Sequence, residues 1–267
     1  MNERGNKMFK TISIDPNNPN LACEALLTAW DDNSVKVVVL DPTFELSEVK
    51  DFYEALFPQL GTVAPLAEDA TISDRGLQRT GEAWMEIRYD PKIQNAYRHS
   101  SEAQPLHTDG SYIPDFPNSS LLCCVTNAGQ GGETTFINAV DVVNALEKEA
   151  PELLSYLTSN VVPHSRSGDS RHDKVIDKKD DIWTVNWNYY CVDKNVDQKT
   201  KDIVERFHTF LKQSSSIQDK LLPVKLKPGQ AILWKDNEVL HGRNSFSANK
   251  ESERFIWKCA FDVGNFS

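Results

Sequence analysis

Two histidines and one aspartate stand in a pattern that could hold a divalent metal ion. His107 and Asp109 are separated by one residue, and His241 follows His107 by 134 positions. Alternate residues of an extended strand point to the same side, so His107 and Asp109 can grip one ion from a single strand end. Imidazole and carboxylate ligands suit non-haem Fe(II), and three protein ligands leave coordination positions open for chemistry. The pattern predicts a facial ferrous site whose third ligand comes from a strand distant in sequence.

The elements that must position these residues are short apolar runs of β character. They predict strands at residues 36–40, 84–89, 121–126, 134–138, 183–190, 224–226, 231–234 and 255–261. Apolar residues at helical spacing predict helices over 47–56, over 140–157 with an interruption near Pro151, and over 200–211, with His208 facing solvent. Many short strands with a few helices indicate a mainly β fold, a sandwich or jelly roll buttressed by α-helices. Two polar stretches, 64–82 and 164–181, lack periodicity and are expected to be binding loops or plain surface loops.

Composition is that of a soluble globular protein, and the chain shows no internal repeat or low-complexity linker, so one domain over residues 1–267 is expected. Five cysteines, without C-x-x-C spacing, indicate reduced thiols in a cytoplasmic protein. No apolar stretch is typical of a signal peptide or a membrane span. The net charge of −10 argues against a nucleic-acid partner and favours a small-molecule one. Monomer and homo-oligomer both stay open.

Four ordered motifs carry a resemblance to a known family. They are Leu106 to Tyr112, Gly131 to Phe136, Trp234 to Phe246, and Arg254. Their order resembles the H-T-D, G-G-(D/E)-T, W-x-(D/N)-N-x-x-x-H-x-R and late arginine of the TauD/TfdA-like family. That family comprises Fe(II)- and 2-oxoglutarate-dependent oxygenases such as taurine dioxygenase, γ-butyrobetaine hydroxylase and the clavaminate synthase-like enzymes. The resemblance spans about residues 84–262 and implies a cupin-like double-stranded β-helix with the metal at one mouth of the barrel.

The resemblance also implies roles for individual residues. His107, Asp109 and His241 would be the catalytic iron ligands, with 2-oxoglutarate chelating the iron and O2 entering last. Arg254 and Thr134 would bind the distal carboxylate of 2-oxoglutarate. A planar guanidinium suits a carboxylate because it donates two parallel hydrogen bonds. Arg243 is the competing candidate for this role. If Arg254 binds the cosubstrate, Arg243 could instead brace Asp109 or contact the substrate.

Several residues are candidates for substrate contact. Lys258 stands where some relatives keep a second arginine near the substrate. The other candidates follow the metal ligands, lie on the strand before them, or belong to an alternating amide and aromatic run: Ser111, Tyr112, Arg88, Asn186 and Asn188.

The expected reaction is oxidation of an unactivated C–H bond of a small polar substrate, with release of succinate and CO2. A free amino acid or related zwitterion is the favoured substrate, and a sulfonate or aryloxy acid is the alternative. Asp109 favours hydroxylation over halogenation, because a halogenase needs a small residue there to admit chloride; desaturation and ring closure stay open. A zinc hydrolase and a non-catalytic cupin-like binding module are the rival functions, and both leave Arg254 and Thr134 without a role.

Overall fold

The structure is a computed structural model that describes residues 7–69, 79–93 and 96–266. Its larger sheet has the order β1-β2-β14-β6-β17-β3, and β4 also pairs with β17. The strands of this sheet are β1 (Phe9–Ile14), β2 (Val37–Pro42), β3 (Gly61–Ala64), β4 (Met85–Arg88), β6 (Ser119–Thr126), β14 (Ala231–Lys235) and β17 (Phe255–Val263). The smaller sheet has the order β13-β8-β15-β5. Its strands are β5 (Gln104–His107), β8 (Thr134–Asn138), β13 (Leu222–Val224) and β15 (Val239–Arg243).

Three short pairs of strands complete the β structure, and all three are antiparallel. They are β7 (Gln130–Gly131) with β16 (Phe246–Ser247), β9 (Val161–Arg166) with β10 (Asp169–Lys174), and β11 (Ile176–Lys179) with β12 (Ile182–Val185). The helices are α1 (Pro19–Asp31), α2 (Val49–Glu54), α3 (Phe57–Leu60), α4 (Ala139–Glu149), α5 (Pro151–Ser159), α6 (Gln198–Gln213) and α7 (Ser215–Gln218), with a 3-10 turn at Tyr189–Cys191.

Local sequence explains where the helices begin and end. The side chain of Asn138 accepts a hydrogen bond from the backbone N–H of Val140 and caps α4. Asp197 caps α6 in the same way by accepting from Thr200. Pro151 has no N–H to donate, so α4 ends before it and α5 starts at it. The predicted interruption of the helix over 140–157 is confirmed.

Three apolar clusters form the layers of a sandwich. The middle cluster joins both sheets and includes Phe136, Trp234 and Ile256. A second cluster packs α1, α2 and α3 on the outer face of the larger sheet, and a third packs α4, α5 and α6 on the outer face of the smaller one. Burial of the two inner faces favours this face-to-face packing. The predicted jelly roll buttressed by helices is confirmed, and none of the described helices is long and apolar enough to cross a membrane.

Several predicted elements differ from the structure. The strand expected over 183–190 ends at Val185, and the 3-10 turn follows. The strand expected at 224–226 lies at Leu222–Val224. Most of the supposedly irregular stretch 164–181 is two hairpins, β9 with β10 and β11 with β12. Their strands carry many charged residues, so hydrophobic periodicity does not reveal them. Part of the other predicted loop, 70–78, lies outside the described residues.

The prediction that His208 faces solvent is wrong. Its side chain is buried and its ring stacks on that of Tyr189, with centroids 4.0 Å apart. The five cysteines all belong to the described residues, and each is free and buried.

Another histidine, His164, is expected to make the fold sensitive to acid. It is fully buried, its Nδ1 lies 3.1 Å from the carbonyl oxygen of Val162, and burial lowers its pKa to about 4 from an ordinary 6.5. Between these values the unfolded chain binds a proton that the folded chain does not. The free energy of unfolding should therefore fall as pH drops from 6.5 to 4, by about 3 kcal/mol from this residue alone.

Urea unfolding of His164→Gln at several pH values checks this, because the variant should lose part of the wild-type acid sensitivity. The matched control is His172→Gln, an exposed position on the paired strand β10. An identical pH slope in wild type and His164→Gln would contradict the assignment.

Candidate metal centre and its cavity

The side chains of His107, Asp109 and His241 converge at the end of strand β5. Strands β5 and β15 pair antiparallel, with His107 directly opposite His241, and Asp109 follows the end of β5. One ligand atom from each of the three residues lies within 4.8 Å of the others. Nε2 of His107 lies 3.8 Å from Oδ1 of Asp109, and Nε2 of His241 lies 3.8 Å from Oδ2. Strand pairing thus brings together residues that are far apart in sequence.

The charge states of the three side chains suit a divalent cation. Burial lowers the pKa of His107 and of His241, so both rings are neutral and keep a lone pair for a metal. Burial by itself would raise the pKa of Asp109. The ammonium of Lys258, which forms an ion pair with Asp109, outweighs burial and brings that pKa below its ordinary value. The group offers two neutral nitrogens and one anionic oxygen.

Neighbouring groups orient these ligand atoms. Nδ1 of His107 lies 2.9 Å from the carbonyl oxygen of Pro105, an acceptor, so Nδ1 carries the proton. Nε2 of His107 is therefore an acceptor, and the side-chain amide nitrogen of Gln104 lies 3.1 Å from it. The hydroxyl of Ser120 donates to Oδ2 of Asp109 at 2.8 Å. Oδ1 of the fully buried Asp236 lies 3.9 Å from Nδ1 of His241 and accepts a hydrogen bond from the Trp234 indole. The donor set and its orientation fit Fe(II), the metal expected from the sequence.

The candidate ligands open onto a cavity of about 920 Å³. Among the described residues, its wall carries three carboxylates, those of Glu68, Glu102 and Asp109. Its positively charged lining residues are Lys92, Arg98, Arg166, Arg243, Arg254 and Lys258. The cavity therefore has a formal excess of positive charge in a chain whose net charge is −10.

Thr134 and Arg254, expected at the cosubstrate's distal carboxylate, both line this cavity with the metal group. The Arg254 side chain is 3% exposed, and its Nε has no hydrogen-bond partner among the described residues. Burial lowers the pKa of Arg254 to about 9, and the charge of Arg243 acts in the same direction. A buried guanidinium with an unsatisfied donor is costly unless an anion pairs with it. An anion bound beside Arg254 would offset this cost.

The guanidinium of Arg243, by contrast, forms hydrogen bonds with backbone carbonyl oxygens. It donates to the carbonyl oxygens of Tyr97, Ser100 and Glu102, at 3.0 Å for Tyr97 and 2.9 Å for Ser100. These bonds hold the segment around 97–102 against strand β15. Arg243 thus borders the cavity with few donors left for a ligand, and the geometry favours Arg254 over Arg243 for the cosubstrate.

The predicted substrate residues divide into two groups. Tyr112, Asn188 and Lys258 line the cavity. Arg88, Ser111 and Asn186 do not, so the structure does not support a substrate contact for them.

Each of the three excluded residues has a physical reason for its position. Alternation along β4 turns Met85 and Ile87 toward the cavity and Arg88 away, where it pairs with Glu86 at 2.6 Å. Ser111 is fully buried, and Nδ2 of Asn186 donates to its carbonyl oxygen at 3.2 Å.

Sequence reasoning missed four side chains around the site. Asp236 stands beside His241, and the trio Glu68, Arg98 and Arg166 lies in the cavity wall. The only signal for the trio was indirect: Glu68 and Arg166 fall in the two polar stretches that lacked periodicity.

The fold and site together define a jelly-roll protein with a buried two-histidine, one-carboxylate metal centre at a cationic cavity. The model of the taurine catabolism dioxygenase TauD, TfdA family matches residues 24–260. The chain belongs to that family.

Two known proteins of similar sequence and one of similar structure are dioxygenases or oxygenases. The chain is 25% identical to human γ-butyrobetaine dioxygenase over 163 residues, which are 57% of this chain and 42% of that protein. It is 25% identical to uridine-5'-phosphate dioxygenase of a Streptomyces species over 242 residues, 81% of this chain and 87% of that protein. Asparagine oxygenase, solved with Fe(II), 3-hydroxyasparagine and succinate, shares the fold with a TM-score of 0.68 and 11% identity, covering 96% and 94% of the two chains. The chain therefore spans less than half the length of the human relative.

Proposed function

We propose that the protein is an Fe(II)- and 2-oxoglutarate-dependent dioxygenase that hydroxylates an unactivated C–H bond of a small polar substrate. The observation that carries the proposal is one shared cavity. It is lined both by the three candidate ligands and by Arg254, whose buried Nε has no hydrogen-bond partner among the described residues. A metal centre alone is compatible with many reactions, but a metal centre beside a buried guanidinium suits a dicarboxylate cosubstrate.

In this proposal, His107, Asp109 and His241 hold the iron from one side. Bound Fe(II) supplies the activation of O2 that couples decarboxylation of 2-oxoglutarate, to succinate and CO2, with oxidation of the substrate. Arg254 and Thr134 bind the distal carboxylate and so orient the cosubstrate. Tyr112 and Asn188 border the space left for substrate. The buried walls around the ligands keep water from the centre, and one domain over residues 1–267 is proposed to carry the whole activity.

The rival functions fit the cavity less well. A zinc hydrolase would use the same three ligands around an activated water. A cupin-like binding module would need no cosubstrate. Neither gives a role to a buried guanidinium that faces the same cavity, and the similar proteins named above are dioxygenases or oxygenases. A free amino acid or related zwitterion is the proposed substrate.

The proposal predicts that succinate forms only when Fe(II), 2-oxoglutarate and O2 are present together, and that the correct substrate stimulates its formation. The purified chain would be loaded anaerobically with Fe(II) and 2-oxoglutarate, exposed to air with members of a metabolite library, and assayed for succinate. Omission of each component is the control. Substrate conversion under nitrogen, or with Zn(II) in place of Fe(II), would favour the hydrolase, and no succinate under any condition would favour the binding module.

A further inference from the structure

The cavity of this protein has more positive charge than its proposed iron and cosubstrate roles use. Of the six cations among its described lining residues, three are engaged elsewhere. Lys258 is ion-paired with Asp109, Arg243 donates to backbone carbonyls, and Arg254 is assigned above to 2-oxoglutarate. Lys92 is exposed at the rim. The other two, Arg98 and Arg166, share the carboxylate of Glu68, and their side chains are 12% and 31% exposed.

Arg98 and Arg166 converge on one carboxylate. Oε2 of Glu68 lies 3.2 Å from Nη2 of Arg166 and 3.9 Å from Nη2 of Arg98. The other oxygen, Oε1, accepts from the Tyr112 hydroxyl at 2.6 Å and lies 3.4 Å from the Ser167 hydroxyl. The Glu68 side chain is 6% exposed. Nη1 of Arg98 also donates to the backbone carbonyl oxygen of Glu68 at 3.2 Å. The four side chains thus form a cradle of donors around the Glu68 carboxylate.

Two guanidiniums share the carboxylate of Glu68. At Arg166 burial acts to lower the pKa, but Glu68 outweighs it and the pKa is raised. Burial lowers the pKa of Arg98, while Glu68 and, more weakly, Asp69 oppose that change. Nε of Arg166 is buried without a hydrogen-bond partner among the described residues. Unmet donors and excess charge beside a cavity favour binding of a further anion. The cradle also adjoins the metal end of the cavity, because Tyr112 follows the candidate ligand Asp109 by three residues.

We propose that Arg98 and Arg166 together bind an anionic group of the substrate, either a carboxylate or a phosphate. This inference rests on the proposed dioxygenase function and specifies its substrate class. Guanidinium forks pair with both kinds of oxyanion, so the shared chemistry is an oxyanion with at least two accessible oxygens. The ammonium of Lys258 is paired with Asp109, so it is not available for this role.

Anion binding can be measured without turnover. The protein would be loaded with Fe(II) and 2-oxoglutarate under anaerobic conditions, so that the other cationic groups are occupied, and titrated calorimetrically with inorganic phosphate and with acetate. Wild type should bind at least one of the two, and Arg98→Gln and Arg166→Gln should each weaken that binding about tenfold or more. Arg171→Gln is the matched control, since Arg171 lies on the paired strand β10, pairs with Asp173 and does not line the cavity. It should bind as wild type does.

Arg98→Gln and Arg166→Gln each remove one cationic partner of Glu68, so a control for misfolding is needed. The double variant Glu68→Gln/Arg166→Gln removes the ion pair as a unit, and it should fold and still lose anion affinity. Equal affinity in wild type and all variants, or no anion binding by wild type, would overturn the inference.

Pairs of ligands that differ in a single anionic group then distinguish a phosphate from a carboxylate. Uridine 5'-phosphate is compared with uridine, and L-asparagine with L-asparagine amide, in wild type and in Arg166→Gln. A phosphate substrate predicts that only the first pair differs in wild type and that the difference disappears in the variant. A carboxylate substrate predicts the same for the second pair, and no difference in either pair overturns the inference. Anion binding without any 2-oxoglutarate-dependent succinate would sink the dioxygenase proposal alone.

Discussion

Replacing Asp109 with alanine will abolish substrate-stimulated succinate formation and weaken Fe(II) binding by at least about a hundredfold, because even the outer partners of metal ligands are worth about 10–100-fold. Asp109 is the one carboxylate among the three candidate ligands. Its loss also leaves the ammonium of Lys258 without its counter-charge, at a position where it repels a divalent cation. Anaerobic titration with Fe(II), followed by the succinate assay, measures both effects.

Two further variants make the Asp109 result specific. Asp115→Ala removes an exposed carboxylate from the same segment and should leave iron affinity and activity unchanged. Adding Lys258→Met to Asp109→Ala removes the orphaned charge and should restore part of the iron affinity but none of the activity. Retention of most activity by Asp109→Ala would refute the ligand role of Asp109.

The sequence was most informative where chemistry and periodicity coincide. His107 and Asp109 alternate along one extended segment, and the structure ends β5 at His107. The apolar run that ends at Trp234 predicts strand β14, and His241 then follows on β15, paired with His107. His107 and Asp109 stand at the end of β5 and His241 in the middle of β15, so each half of the candidate metal site lies within one short motif. The order of the motifs, through their resemblance to a known family, joined the two halves. The layered β fold was also predictable, since its central strands are short apolar runs.

Long-range ion pairs were beyond the reach of these patterns. Glu68, Arg98 and Arg166 come from three separate segments and share no motif, so only the tertiary structure brings them together. The pairing of Lys258 with Asp109 likewise depends on how β17 crosses the sheet. The hairpin of β9 and β10 carries charges on both strands, which hides its extended backbone from a periodicity test. Ion pairs between residues that are distant in sequence form no local pattern, so a single sequence does not reveal them.

Replacing Arg254 with methionine will weaken 2-oxoglutarate binding by about a hundredfold while leaving Fe(II) affinity unchanged. The buried guanidinium is expected to donate two charge-assisted hydrogen bonds to the distal carboxylate, and each such bond is worth roughly tenfold or more in affinity. Methionine fills similar space, and replacing a buried charge by an apolar side chain is often neutral for stability, so the melting temperature should not fall. Thr134→Val, which removes one neutral donor, should cost only about fivefold.

A shorter keto-acid supplies the decisive comparison for Arg254. 2-Oxobutyrate keeps the group that chelates the metal but lacks the distal carboxylate, so wild type and Arg254→Met should bind it equally under anaerobic conditions with Fe(II) present. The control Arg206→Met alters an exposed guanidinium paired with Glu152 and should bind both keto-acids as wild type does. If Arg254→Met still prefers 2-oxoglutarate over 2-oxobutyrate as strongly as wild type does, the distal carboxylate lies elsewhere in the cavity. The cosubstrate role would then pass to another of its cations, and the distinction between Arg254 and the backbone-bound Arg243 would lose its functional meaning.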